Sequence, residues 1–290
     1  MNEIIIFTGA ELRHQFMRKA LALADVGCEI NCSICEGLEQ SLNTRVAGAE
    51  DADLRKRHVT ARTRSERDFF APFVALAPDR SRPRYIAKGA INEPENAEAI
   101  IDLNPHLIVA YGCSLIREPL ISAFSGRILN VHLGLSPYYR GSGTNFWPLV
   151  EARPECVGAT FLYMDPGIDT GEIIHQIRAR VFPGDTPHQI GNRLICDIAL
   201  VYPEIIRRFE QLTTPEPPPP PANPRLCRRD DFLEESVETL YKRFEDGMVA
   251  EYLENIQQRQ AAAPIAVNPQ IPPVDVLMEE RQFKHNGEKG

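Results

Sequence analysis

The amino-acid sequence predicts an α/β protein with a mostly parallel sheet and helices on both faces, followed by a small helical C-terminal extension. Three observations lead there. The apolar runs at residues 3–7 and 107–111 are short and continuous, as in strands buried on both faces. Such runs alternate with longer stretches of helical periodicity. A proline-rich stretch then separates this α/β part from a shorter segment with an apolar stripe.

The elements follow in order. The strand at 3–7 ends in Thr8-Gly9-Ala10, and Leu12, Phe16, Ala20 and Leu23 then recur at helical spacing, which makes a βα opening. Only Gly9 stands where a dinucleotide fingerprint needs three glycines, so a nicotinamide cofactor is not expected. Residues 51–68 are highly charged, with Arg55, Lys56, Arg57, Arg62, Arg64 and Arg67. They read as a solvated loop or helix face, with a phosphate-binding patch as the sharper alternative. Gly112 ends the strand at 107–111, and a helix is expected over 115–124. Further strands are expected at 127–131, 160–163 and 172–177, the last two joined by a loop rich in Gly and Asp, and a long helix over 187–212.

These elements make a first domain of residues 1–212. A proline linker occupies 213–224, with Pro215, Pro217 to Pro221 and Pro224. The extension, 225–260, carries Leu233, Val237, Leu240, Tyr241 and Phe244 at helical spacing, and Gly247 separates a second helix at 248–256. Its stripe suggests a partner surface, such as a homodimer contact. Residues 261–290, rich in Pro, Gln and charge, are expected to be extended or disordered.

Composition narrows the function. The chain has 290 residues, 43% hydrophobic and 25% charged, enough for a sizeable globular core. A net charge of −8 disfavours a nucleic-acid binder held mainly by electrostatics. No apolar run approaches the roughly 20 residues of a membrane helix, and the acidic start leads straight into a strand, so neither a membrane span nor a signal peptide is expected. Seven cysteines, an odd number, fit reduced thiols and a cytoplasmic location. Cys28, Cys32 and Cys35 lack a fourth ligand at zinc spacing, and no metal is expected. The histidines other than His132 show no ligand pattern.

The chemistry concentrates in two segments. The first, Asn130-Val131-His132-Leu133-Gly134-Leu135-Ser136-Pro137-Tyr138-Tyr139-Arg140-Gly141, begins at the end of an expected strand. Ligands of open α/β sheets bind outside such strand ends. Asn130 and His132 share one side of the strand, so an amide donor and an imidazole face one pocket, suited to a developing oxyanion. The second, Asp165-Pro166-Gly167-Ile168-Asp169-Thr170-Gly171, is a tight loop that can bring Asp169 beside His132 and orient its ring.

Together the segments resemble the 10-formyltetrahydrofolate-dependent formyltransferases, whose signature runs Asn-x-His-x-Ser-Leu-Leu-Pro-x-x-x-Gly and is followed by an Asp-containing loop. The resemblance covers roughly residues 1–210 and implies a Rossmann-like formyltransferase fold. It implies that Asn130, His132 and Asp169 are catalytic. It assigns a pterin wall to Tyr111, Gly112, Leu115 and Ile116, and the other side of the folate pocket to Asp165, Gly167 and Ile168. Tyr139, Arg140, Asn145 and Trp147 are candidates for touching the acceptor, Trp147 by stacking or else as a core anchor. This chain departs from the signature at Gly134, where Ser is usual, and at Ser136, where Leu is usual.

The implied reaction moves a formyl group from 10-formyltetrahydrofolate to an amine, without metal. The short helical extension and acidic charge point to a small amine, foremost a nucleotide-linked amino sugar. Hydroxylated ornithine or lysine and methionyl-tRNA are the alternatives, and a non-catalytic folate binder is the least favoured.

Overall fold

Residues 2–39, 41–48, 50 and 53–287 are described by a computed structural model. The chain runs through β1 (Glu3–Gly9), α1 (Leu12–Leu23), β2 (Glu29–Glu36), α2 (Leu42–Val46), α3 (Leu54–Leu76), β3 (Pro83–Ile86), α4 (Pro94–Leu103) and β4 (Leu107–Tyr111). It continues with α5 (Leu120–Ala123), β5 (Ile128–His132), β6 (Tyr139–Gly141), α6 (Trp147–Val150), β7 (Gly158–Tyr163), β8 (Ile173–Arg178) and α7 (Pro187–Arg207). Beyond the linker come β9 (Arg225–Cys227), α8 (Glu234–Glu245), α9 (Met248–Glu254), α10 (Ile256–Ala261) and α11 (Val274–Gly287).

Seven strands form one sheet in the order β3-β2-β1-β4-β5-β7-β8. The first five are mutually parallel, and β7 and β8 add antiparallel at one side. The continuous apolar strands divide their side chains between two cores. Ile4, Ile6, Val109, Leu129 and Val131 face α1, α3 and α7, while Ile5, Phe7, Ile108, Ala110 and Ile128 face α4 and α5. The order reverses between β1 and β4, one running outward through β2 and the other through β5, and that reversal opens a crevice at their carboxyl ends.

Two expected elements differ. The helix anticipated over 115–124 is reduced to α5, because Pro119 cannot continue a helix begun before it and restrains the residue ahead of it. The tail anticipated as extended or disordered is ordered through residue 287. Ala263, Ala266, Ile271 and Leu277 are buried, and α11 packs on α7. Residues near 266 complete the edge of β8. The Gln176 backbone N–H donates to Ala266 O at 2.8 Å, and the Ala266 N–H donates to Gln176 Oε1 at 2.9 Å. The attachment thus depends on partners distant in sequence, the edge of β8 for Ala266 and α7 for α11.

The extension is joined to the core by a short parallel pairing of β9 with β6, next to the histidine segment. Gly141 has φ +92°, and a Cβ there would lie 2.3 Å from Cys227 O, so the close approach of β9 requires glycine. Part of the stripe read as a possible partner surface is spent inside the chain: Val237 and Leu240 are fully buried and α8 packs on α3 and α6, while Leu233 stays exposed. Arg259 grips buried Glu155 through two nitrogens at 2.8 and 3.0 Å, a second attachment of the extension.

Candidate active site

A cavity of about 520 Å³ opens at the carboxyl ends of β1, β4 and β5. Asn130, His132 and Asp169 line it together. Asn130 and His132 come from alternate positions of β5, as the period of a strand requires. Asp169 comes from the β7–β8 loop, where it adopts φ +52°, a left-handed conformation that Asp tolerates better than most residues. This turn aims its carboxylate inward. Oδ2 accepts the Gly141 N–H at 2.9 Å and lies 3.3 Å from His132 Nδ1.

The His132 ring lies between two acceptors, because Nε2 is 3.3 Å from the Tyr139 carbonyl. Burial pushes its pKa below 6.5, while the Asp169 carboxylate and the Tyr139 carbonyl act in the opposite sense. Space around Nε2 is tight. A Cβ at Gly134 would lie 2.4 Å from it and 2.7 Å from Thr144 Cβ. Thr144 is held by a hydrogen bond to the Leu133 carbonyl, so in this chain its side chain occupies the room beside position 134. The departure from the signature at Gly134 is thus matched by its neighbours.

Tyr111 at the end of β4 and Gly112 after it line the cavity, as do Asn145 and Trp147 from the segment that enters α6. Tyr111 is 2% exposed, and its hydroxyl has no hydrogen-bond partner among the described residues. Burial raises its pKa, so it is a neutral donor. Trp147 is also a core residue, covered by the Arg225 guanidinium 4.1 Å from the ring.

Other expected site residues lie elsewhere. Ile116 is buried in the core beneath α4 and α5, and Tyr139 points into a small core with its hydroxyl 2.5 Å from Glu151, so neither presents its side chain to the cavity. Asp165 shapes the loop: its carboxylate accepts the Gly167 N–H at 3.0 Å and the Thr170 hydroxyl at 2.8 Å. Leu115 and Ile168 are exposed apolar side chains outside this cavity. Arg140 borders a smaller cavity of about 320 Å³ beneath the proline linker.

Several lining residues had no signal in the sequence. His14 packs edge-on to Tyr111 at 5.3 Å and accepts the Glu11 N–H through Nδ1 at 3.3 Å. Its pKa lies well below 6.5 because it is desolvated. Gly112, at φ +69°, leaves room for it, since a Cβ there would fall 2.3 Å from Nε2. The basic stretch forms part of α3, apart from residues 51 and 52, which lie outside the described residues. Of its arginines, only Arg62 lines the cavity, held with Arg13 against Glu11 and Glu66. It is pushed down to about 10 by burial. The sharper reading of a free phosphate patch is not met there, since carboxylates already occupy these guanidinium groups. No group of metal-ligating side chains occurs among the described residues. No helix among them is long and apolar enough to cross a membrane.

The formyl transferase family matches residues 44–206, more than half of the chain. The chain therefore belongs to the formyl transferase family. It is 36% identical over 149 residues to a methionyl-tRNA formyltransferase of Desulforamulus reducens, covering 51% of this chain and 46% of that protein. A methionyl-tRNA formyltransferase of Burkholderia multivorans is 32% identical over 184 residues, covering 53% and 56%. The chain thus spans about half the length of the curated relatives it matches. Among solved structures, a sugar N-formyltransferase from Shewanella sp FDAARGOS_354 aligns with a TM-score of 0.54 at 15% identity, over 80% of this chain and 78% of that one. A phosphoribosylglycinamide formyltransferase from Anaplasma phagocytophilum aligns with a TM-score of 0.50 at 16% identity, over 72% and 87%. At such identities these structures bear on the fold alone.

Proposed function

We propose that the protein transfers a formyl group from 10-formyltetrahydrofolate to the primary amine of a small acceptor, foremost a nucleotide-linked amino sugar. The convergence of Asn130, His132 and Asp169 on one cavity carries this reading. The uncharged amine attacks the formyl carbon. The Asn130 amide and the His132 ring stabilise the oxyanion of the tetrahedral intermediate. Collapse of that intermediate breaks the bond to N10 and releases tetrahydrofolate. The proton lost by the amine is relayed through the His132–Asp169 pair or a water beside it to N10, which leaves as the neutral N–H of tetrahydrofolate. Asp169 favours the charged imidazole at the moment the oxyanion forms, offsetting the burial that otherwise keeps the ring neutral. Leu115 and Ile168, exposed and apolar on the two segments assigned to the pterin, support a donor site beside the trio. No metal takes part in this scheme.

A second reading, formylation of methionyl-tRNA, is favoured by the names of the curated relatives. The acidic charge of the chain favours the small amine. Tetrahydrofolate release measured against nucleotide amino sugars, hydroxylated diamino acids and methionyl-tRNA tests both. Turnover with a nucleotide amino sugar supports the first reading, and turnover with methionyl-tRNA alone replaces it with the second.

A further inference from the structure

The cavity holds a second cluster of side chains that the reaction scheme does not use. His58 from α3 and His188 from α7 lie 4.5 Å apart. Phe146 stands 5.4 Å from His58 and Phe232 5.9 Å, and the two phenyl rings meet edge to face at 5.3 Å. His58 Nδ1 is 3.2 Å from the Tyr241 hydroxyl, so α8 fixes that ring. Phe232, Arg228 and Arg229 reach this cavity from the segment directly after β9, which the β6–β9 pairing holds beside the catalytic segment. Both arginines are exposed at its rim.

Two buried polar atoms here have no hydrogen-bond partner among the described residues, His188 Nε2 and Asn145 Oδ1. Buried polar atoms are nearly always paired in folded proteins, so these two, in the cavity that also holds the unpaired Tyr111 hydroxyl, call for a ligand. Burial lowers His58 to about 3 and His188 to about 4, so both rings are neutral near pH 7. Neutral imidazoles, an amide oxygen and phenyl walls suit an uncharged ring bearing hydroxyl or amide groups. A zwitterionic amino acid would have to lose the hydration of two charges there. Adjacent guanidinium groups at the rim suit a phosphate or diphosphate.

We infer that this part of the cavity selects the amine acceptor: a polar, uncharged ring lies between His188, Asn145 and Phe232, and its diphosphate meets Arg228 and Arg229. The segment after the proline linker is then a working wall of the site rather than an appendage. This inference rests on the formyl-transfer reading of the neighbouring trio and adds which residues choose the substrate.

Calorimetry on the full chain with UDP-N-acetylglucosamine as the probe tests it. The wild type binds, and His188→Ala weakens binding tenfold or more. The Arg228→Ala/Arg229→Ala double variant does the same and flattens the dependence on salt. These arginines are exposed, so their removal leaves the core intact and keeps the test decisive if His188→Ala folds poorly. Absence of binding, or equal affinity in all variants, overturns the inference. Tetrahydrofolate in the same experiment separates the two readings. A chain that binds tetrahydrofolate but not the probe keeps the formyl-transfer reading and loses this one. A chain that binds the probe but not tetrahydrofolate keeps a nucleotide-sugar subsite at these residues and loses the formyl-transfer reading.

Discussion

His132 faces two acceptors, Asp169 Oδ2 and the Tyr139 carbonyl, yet burial opposes the charge that would satisfy both. A ring so balanced becomes cationic when negative charge appears beside it, as it does at a tetrahedral oxyanion. Three expectations follow at this scale. Alanine at Asn130 or at His132 lowers turnover by about a hundredfold or more, the usual consequence of deleting an oxyanion donor, and steady-state kinetics with any accepted amine reads it. Asp169→Asn removes the charge that favours the imidazolium, so the His132 titration followed by NMR moves to lower pH; an unchanged titration would exclude the coupling. Gly134→Ser restores the residue usual in the signature but places Cβ 2.4 Å from His132 Nε2 and 2.7 Å from Thr144 Cβ. It therefore lowers both turnover and stability, the latter by about 1–3 kcal/mol as in other overpacked sites. The trio was legible because its period-2 spacing and loop position lie in the local sequence. His14, His58 and His188 were not, since each is an isolated histidine on a helix and gains meaning only where helices converge.

Among the elements, the parallel strands were the easiest to read. Continuous apolar runs at β1 and β4 have no other comfortable place than a sheet covered on both faces. β2 and β3 escaped notice because β2 interleaves Asn31, Ser33 and two cysteines with isoleucines, and β3 is four residues long with Tyr85 exposed. α11 escaped because its attachment depends on a distant partner, the surface of α7. The helical character of the extension was visible, but its packing was not: the stripe looks the same whether it meets another chain or this one. Arg259 is the clearest test of that packing. Its removal leaves Glu155, 6% exposed, with Arg153 as its remaining charged partner. Arg259→Ala is expected to cost on the order of 3 kcal/mol, as for other broken buried pairs, measured by denaturant unfolding. A cost below about 0.5 kcal/mol, the range of surface changes, would show that the extension is not anchored there.

Across the whole molecule, buried neutral histidines tie stability to pH. His58 is lowered to about 3, and His175 and His188 to about 4. His175 accepts the Asn268 N–H at 3.0 Å through Nδ1, a bond that protonation abolishes. The unfolded chain binds protons at these residues below about pH 6.5, whereas the folded chain resists them, so stability is full above that pH and declines as pH falls toward 4. Each imidazole contributes a slope of up to about 1.4 kcal/mol per pH unit in that window. Thermal melts between pH 7.5 and 5 should show the midpoint falling, and a flat midpoint would exclude this origin. The same folded body brings β5, the Asp169 loop, α3, α7 and the post-linker segment around one cavity, which is where the proposed reaction is placed. The most direct test is tetrahydrofolate release from 10-formyltetrahydrofolate in the presence of a panel of amines, run side by side for the wild type and His132→Ala. The account predicts amine-dependent release by the wild type and a rate about a hundredfold lower or less in the variant. Release at equal rates by both proteins, or binding of the folate with no release for any amine, would contradict it.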